Sequence, residues 1–236
     1  MRLQATPYLC LPLQYDLQRL QQDYLRLRNA EWLAHYNQQA CQGDWNCLPL
    51  RAAGGRHNDI YADNGEDYHD TQWLLQCPYF CEVLQQLDCE KIAVRLMSLA
   101  AGARILPHRD PGGGFEDGVA RLHIPIITDP AIHFVIDGEV VHFSAAKCWY
   151  MNANCLHAVE NPSALERIHL VIDCVPNEWL RRCFIEAGWR ANPENKYGDV
   201  NINDGNIDFI IAALQAQNNP TSLRLAQDLL TKKTIA

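Results

Sequence analysis

Apolar positions recur at helical spacing near both ends of this chain and at every second position through its middle. In residues 13–40, Leu17, Leu20, Tyr24 and Leu27 fall on one face, and Asp16 is placed to cap the first turn, so a helix is expected there. A second helix is expected from Pro78, with Phe80, Val83, Leu84 and Leu87 on its apolar side. Between them, residues 52–70 are polar and glycine-rich and read as a long loop.

From residue 91 the spacing shortens. Residues 91–99, 103–110, 120–127, 131–143, 147–153 and 166–174 read as short strands. The clearest is the hairpin 131–143, where Asp137-Gly138 separates two β-branched and aromatic runs. Pro111-Gly112-Gly113-Gly114 opens a loop to about residue 118, expected to be mobile and, with 52–70, a candidate lid. After Pro176 helical spacing returns over 177–188, 205–217 and 220–233. Strands without intervening helices imply a mainly β fold, an antiparallel sandwich or barrel rather than a βαβ sheet. The expected division is a helical flank and loop over 1–90, a β core over 91–175 and a C-terminal helical extension over 176–236.

Composition narrows the function. The 236 residues are 48% hydrophobic and 20% charged, ordinary for a globular protein. A net charge of −8 with no basic cluster argues against nucleic acid as a partner. No run approaches a membrane span, and the first residues lack the apolar stretch of a signal peptide, so a cytoplasmic protein is expected. The ten cysteines are scattered without a CxxC pair and read as reduced thiols. The apolar stripes of the terminal helices leave a homodimer open.

The candidate chemistry lies on the strands. His108 and Asp110 are two apart, so an extended strand would aim both at one ion and turn Arg109 away. His157 would complete a two-imidazole, one-carboxylate set that fills one face of an octahedral iron(II) and leaves three positions open. A surface couple of His108 and Asp110 is the alternative. Arg167, His169 and Asp173 share the face of their strand opposite Ile168, Leu170 and Ile172. An inward arginine needs an anion, met by a dicarboxylate such as 2-oxoglutarate or by a salt bridge to Glu166 or Glu160. Arg121 and His123 likewise share a face, either toward the same pocket or toward solvent. Asn152 and Asn154 are either partners of His157 or turn residues, and His35, His57 and His69 lack ligand spacing.

The segments ILPHRD (105–110), RLHIPI (121–126), KCWYMNANCLHAV (147–159) and ERIHLVID (166–173), in this order, resemble the aspartyl/asparaginyl β-hydroxylase family, including its L-proline hydroxylases. GDWNCLPLRAAGG (43–55) adds to the likeness, which covers about residues 43–175. The resemblance implies a double-stranded β-helix, a cupin-like jelly roll, flanked by helices. It implies iron(II) held by His108, Asp110 and His157, dioxygen as oxidant, and 2-oxoglutarate as co-substrate with its far carboxylate on Arg167. Arg121 and His123 match positions lining the pocket near the oxo-acid or the substrate, and His169 lies beside them. The animal aspartyl hydroxylases lack the carboxylate that Asp110 supplies, so the chain looks more like the proline hydroxylases. A free amino acid is the expected substrate, with a residue inside a peptide or protein as the alternative. A metal-binding barrel without oxygenase activity, or a zinc hydrolase, would use the same three ligands.

Overall fold

A computed structural model describes residues 6–60, 67–190, 197–199 and 201–235. The chain runs through strand β1 (Tyr8–Gln14), helix α1 (Leu17–Leu27), and strands β2 (Leu33–Ala34), β3 (Cys41–Gln42), β4 (Trp45–Ala53) and β5 (Tyr68–Asp70). Helix α2 (Pro78–Gln86) follows, then strands β6 (Lys91–Leu99), β7 (Arg104–His108), β8 (Ala120–Ile127), β9 (His133–Ile136) and β10 (Glu139–Val141). Strands β11 (Lys147–Met151), β12 (His157–Glu160) and β13 (Arg167–Cys174) and helices α3 (Glu178–Glu186), α4 (Ile207–Gln217) and α5 (Pro220–Ile235) complete it.

Two antiparallel sheets form among the described residues. The larger has the order β1-β11-β8-β13-β6-β4-β2, with β5 paired to β4. The smaller has the order β10-β9-β12-β7-β3. Their inner faces meet through Trp45, Leu99 and Met151 on one side and Ile105, Phe134, Ile136 and Val159 on the other. This is the jelly roll expected from the sequence. The larger sheet also draws in β1, β2, β4 and β5, and the smaller β3, all from before residue 91.

Alternation along the central strands sorts side chains between two layers. Ile168, Leu170 and Ile172 of β13, with Leu122, Ile124 and Ile126 of β8, face outward under helices α1, α2 and α3. Each such fully buried side chain stabilises the fold by roughly 1.5–3 kcal/mol. The inner face receives the polar residues that build the site.

The helices are held by specific caps. Asp16 accepts from the Gln18 and Arg19 amides at the start of α1. Buried Asp23 of α1 accepts from the Tyr79 and Phe80 amides at 2.7 and 2.9 Å, capping α2 behind Pro78. The first helix is shorter than the apolar pattern suggested. It stops at Leu27, and the rest of 28–40 is turns, the two-residue β2 and a short 3-10 segment.

The expected hairpin is β9–β10. Asp137 and Gly138 at its turn have φ of 47° and 87°, as a tight two-residue hairpin turn requires. The 111–118 loop is pinned. Phe115 is buried against Phe184 (ring centroids 4.2 Å) and edge-on to Trp189, and its amide donates to the Tyr150 hydroxyl at 3.0 Å. Within the other lid candidate, β4 and β5 pair at the two ends, and residues 61–66 lie outside the described residues.

Residues 7–189 form one compact unit, which includes α3. A second unit contains residues 190–236, in which α4 and α5 pack around Tyr197, Ile207, Ile211, Ala226 and Leu229. No helix among the described residues is long and apolar enough to cross a membrane.

Candidate metal centre

His108 ends β7 and His157 begins β12, and the two are direct partners in that ladder. Their rings lie 4.3 Å apart, centroid to centroid. Asp110 follows in a loop whose amide donates to Ala153 O at 2.8 Å, which brings its carboxylate beside both rings. One donor atom from each of His108, Asp110 and His157 lies within 4.8 Å of the others.

The histidine tautomers are set by the backbone. His108 Nδ1 lies 2.8 Å from Leu106 O and His157 Nδ1 2.9 Å from Cys155 O. A carbonyl only accepts, so each Nδ1 carries the proton and each Nε2 keeps its lone pair for an ion. Burial also holds His157 below the usual imidazole value. Two neutral imidazoles and a carboxylate, with tethered outer nitrogens, fit a divalent transition metal.

A cavity between the sheets continues inward from these residues. Apolar walls come from Met97, Ile105, Phe134, Met151 and Val159. Arg167 closes its inner end, 3% exposed, with Nε unpaired and its guanidinium carbon 5.7 Å from the Phe134 ring centre. Burial draws Arg167 down to about 10, so it remains a cation at neutral pH. Neither Glu166 nor Glu160 pairs with it. His123 lines the cavity, and its Nδ1 lies 3.4 Å from that of His169. Both have an unpaired Nε2, and burial followed by Arg167 pushes both well below the ordinary imidazole value. An unpaired buried cation ringed by neutral imidazoles is the environment of an absent carboxylate.

Arg121 faces the centre, but its donors are engaged by carboxylates of the chain itself. Nη1 donates to Asp110 Oδ2 at 3.0 Å and Nε to Asp173 Oδ1 at 2.7 Å. Asp173 also pairs with Arg95, whose Nη1 donates to Ile60 O at 3.1 Å. Arg109 points outward, donating to Asn154 O, and Arg104 bonds Gln42 at the surface. Asn152 and Asn154 prove to be turn residues. Asn152 Oδ1 accepts from the Asn154 amide, and Asn154 Oδ1 from that of Gly112.

His35 reaches the cavity although its spacing gave no sign of it. Its ring stacks on Trp45 with centroids 3.4 Å apart, and the Tyr36 ring stacks against it at 4.3 Å. His35 Nδ1 accepts from the Asn37 amide at 3.2 Å, and burial lowers its pKa to about 3, so the proton sits on Nε2. A second, more open depression adjoins Asp110 and Arg121 from the side of Tyr36, Ile92 and Val119. Asp110 and Arg121 thus border both the inner cavity and this outer depression, whereas Arg167 lines only the inner one.

Comparison with known proteins agrees with this geometry. A family model described as Aspartyl/Asparaginyl beta-hydroxylase matches residues 14–176. L-proline cis-4-hydroxylase of Rhizobium meliloti (strain 1021) is 26% identical over 174 residues, covering 71% of this chain and 61% of that protein. L-proline cis-3-hydroxylase 1 of a Streptomyces species is 25% identical over 166 residues, covering 68% and 57%. The chain therefore spans less than two thirds of the length of these relatives. Among solved structures, an oxidoreductase of the 2OG-Fe(II) oxygenase family from Burkholderia pseudomallei superposes with a TM-score of 0.50 at 12% identity. That match covers 68% of this chain and 80% of the other, and it supports the jelly-roll fold.

Proposed function

Since the chain belongs to the aspartyl/asparaginyl β-hydroxylase family, we propose that it is an iron(II)- and 2-oxoglutarate-dependent dioxygenase that hydroxylates a free amino acid. Iron with 2-oxoglutarate and dioxygen supplies the oxidation: a substrate C–H becomes C–OH while 2-oxoglutarate loses carbon dioxide to give succinate. The observation that carries the reading is Arg167, a buried cation without an anion at the closed end of the cavity that His108, Asp110 and His157 border.

Within it, His108 and His157 present Nε2 and Asp110 presents a carboxylate oxygen to the metal. Arg167 holds the far carboxylate of 2-oxoglutarate, whose binding compensates a desolvation that the free protein leaves uncompensated. His123, neutral, offers a hydrogen bond without adding charge, and His169 orients it. The apolar walls exclude bulk water around the reacting atoms. Substrate approaches from the open side, past Tyr36 and Asp110. That two relatives are named L-proline hydroxylases supports a free amino acid over a peptide. Ten free thiols suit a reducing compartment such as the cytoplasm.

The test is a panel of free amino acids and short peptides, each incubated with protein, iron(II), 2-oxoglutarate and air. Succinate should form in step with one hydroxylated amino acid and fall to the substrate-free level in Arg167→Ala. Equal succinate with and without every candidate would overturn the substrate class. No succinate at all would overturn the reaction.

A further inference from the structure

We propose that Asp173 is a positioning residue of the metal centre: by fixing the Arg121 guanidinium, it turns Asp110 so that a single carboxylate oxygen faces the two imidazoles. The inference rests on the reading that His108, Asp110 and His157 hold a divalent metal.

Asp173 and Arg121 are direct partners between β13 and β8, so the sheet register itself places carboxylate against guanidinium. The pairing is a fork. Arg121 Nε donates to Asp173 Oδ1 at 2.7 Å, and Nη2 lies 3.4 Å from Oδ2. The remaining nitrogen, Nη1, donates to Asp110 Oδ2 at 3.0 Å. That bond occupies Oδ2 and leaves Oδ1, which lies 3.8 Å from His108 Nε2, as the oxygen turned toward the metal position.

Asp110 requires such a device. It lies beyond the end of β7, in a loop, with its side chain 30% exposed. A carboxylate there can rotate about its side chain or offer both oxygens to a metal. Binding through both would take a coordination position that an oxo-acid chelate and dioxygen need. The guanidinium plane is rigid, so holding it by two bonds on one edge fixes the direction of the third. Arg95 secures Asp173 from the opposite side. Burial opposes ionisation of Asp173, but Arg121 and Arg95 outweigh it and hold the carboxyl below its ordinary value. The clamp is therefore charged throughout the neutral range.

The experiment titrates full-length protein with cobalt(II), following affinity and the visible absorption of the bound ion, with folding checked by circular dichroism. Asp173→Asn is expected to weaken cobalt binding by about 10- to 100-fold, as loss of an outer partner does, and to shift the visible band as Asp110 changes its mode of binding. Asp173→Asn leaves Arg95 without its buried partner. If it does not fold, Arg121→Gln decides, since that variant keeps the Arg95–Asp173 pair and removes the guanidinium that links Asp173 to Asp110. The same weakening and shift are expected there. Arg121→Lys, a cation without the fork, should recover part of the affinity and not the native band. Folded Asp173→Asn or Arg121→Gln with native affinity and spectrum would overturn the inference while leaving the metal site standing. Native protein that binds no cobalt would overturn both.

Discussion

His108 and His157 stand opposite each other in the β7–β12 ladder, and each ring is tethered through Nδ1 to the carbonyl two residues before it. The same local device thus acts on both strands, and the backbone alone sets the tautomers and the inward direction of both Nε2 atoms.

His157→Ala removes one of these donors without disturbing the sheet hydrogen bonds. Affinity for cobalt(II) or manganese(II) should fall by more than about 100-fold, since loss of a mere outer partner costs about 10- to 100-fold. Circular dichroism should stay native. Titration of the variant beside the native protein checks this, and equal affinities would remove His157 from the ligand set.

Arg167 predicts an opposition between stability and function. Arg167→Met fills similar space and removes an uncompensated buried charge, so the ligand-free variant should be more stable by about 1–3 kcal/mol. It should also lose 2-oxoglutarate binding while keeping its metal. Native protein should gain thermal stability on adding 2-oxoglutarate, and the variant should not. Chemical unfolding with and without the oxo-acid tests both halves.

Acid should destabilise the fold, and histidines set the onset. Burial keeps His35, His123 and His169 unprotonated in the fold, whereas each binds a proton in the unfolded chain below about pH 6.5. Stability is therefore full above that value and falls as the pH drops through it. For His35 the loss continues down to about 3. Each such histidine contributes up to about 1.4 kcal/mol per pH unit within its window. Asp173, held below 3.8, acts in the same direction but only at lower pH. Urea unfolding at pH 7 and pH 5.5 should show the drop, and an unchanged or higher midpoint at pH 5.5 would contradict it.

Much of this was legible from residue order, where alternation does the sorting. Arg167, His169 and Asp173 opposite Ile168, Leu170 and Ile172 read correctly because β13 is buried on both faces and sorts its side chains between two different layers. Asp137-Gly138 marked its hairpin because few residue pairs tolerate that backbone. Alternation assigns a face, however, not a partner. Of the two faces left open for Arg121 it takes the one toward the site, yet its carboxylate partner Asp173 comes from the neighbouring strand and is visible only once the register is known. His35 was illegible for another reason. It follows a two-residue strand too short to carry a period, and it meets the site by stacking on Trp45.

Phe115 should prove to be the anchor of the loop after Asp110. Phe115→Ala opens a cavity between Phe184 and Trp189 and should cost about 3 kcal/mol or more. It should also weaken metal binding, because the same loop carries Asp110. Thermal unfolding and a cobalt titration read the two effects, and a loss of stability with unchanged metal affinity would show that the loop holds Asp110 without it.

The most direct test of the central claim is an anaerobic titration of iron(II)-loaded protein with 2-oxoglutarate, following visible absorption. A weak charge-transfer band should grow to saturation, and it should be absent in His108→Ala and in Arg167→Ala at the same oxo-acid concentration. Folded, iron-loaded native protein that shows no band at saturating 2-oxoglutarate would contradict the account and leave a metal-binding barrel of another kind.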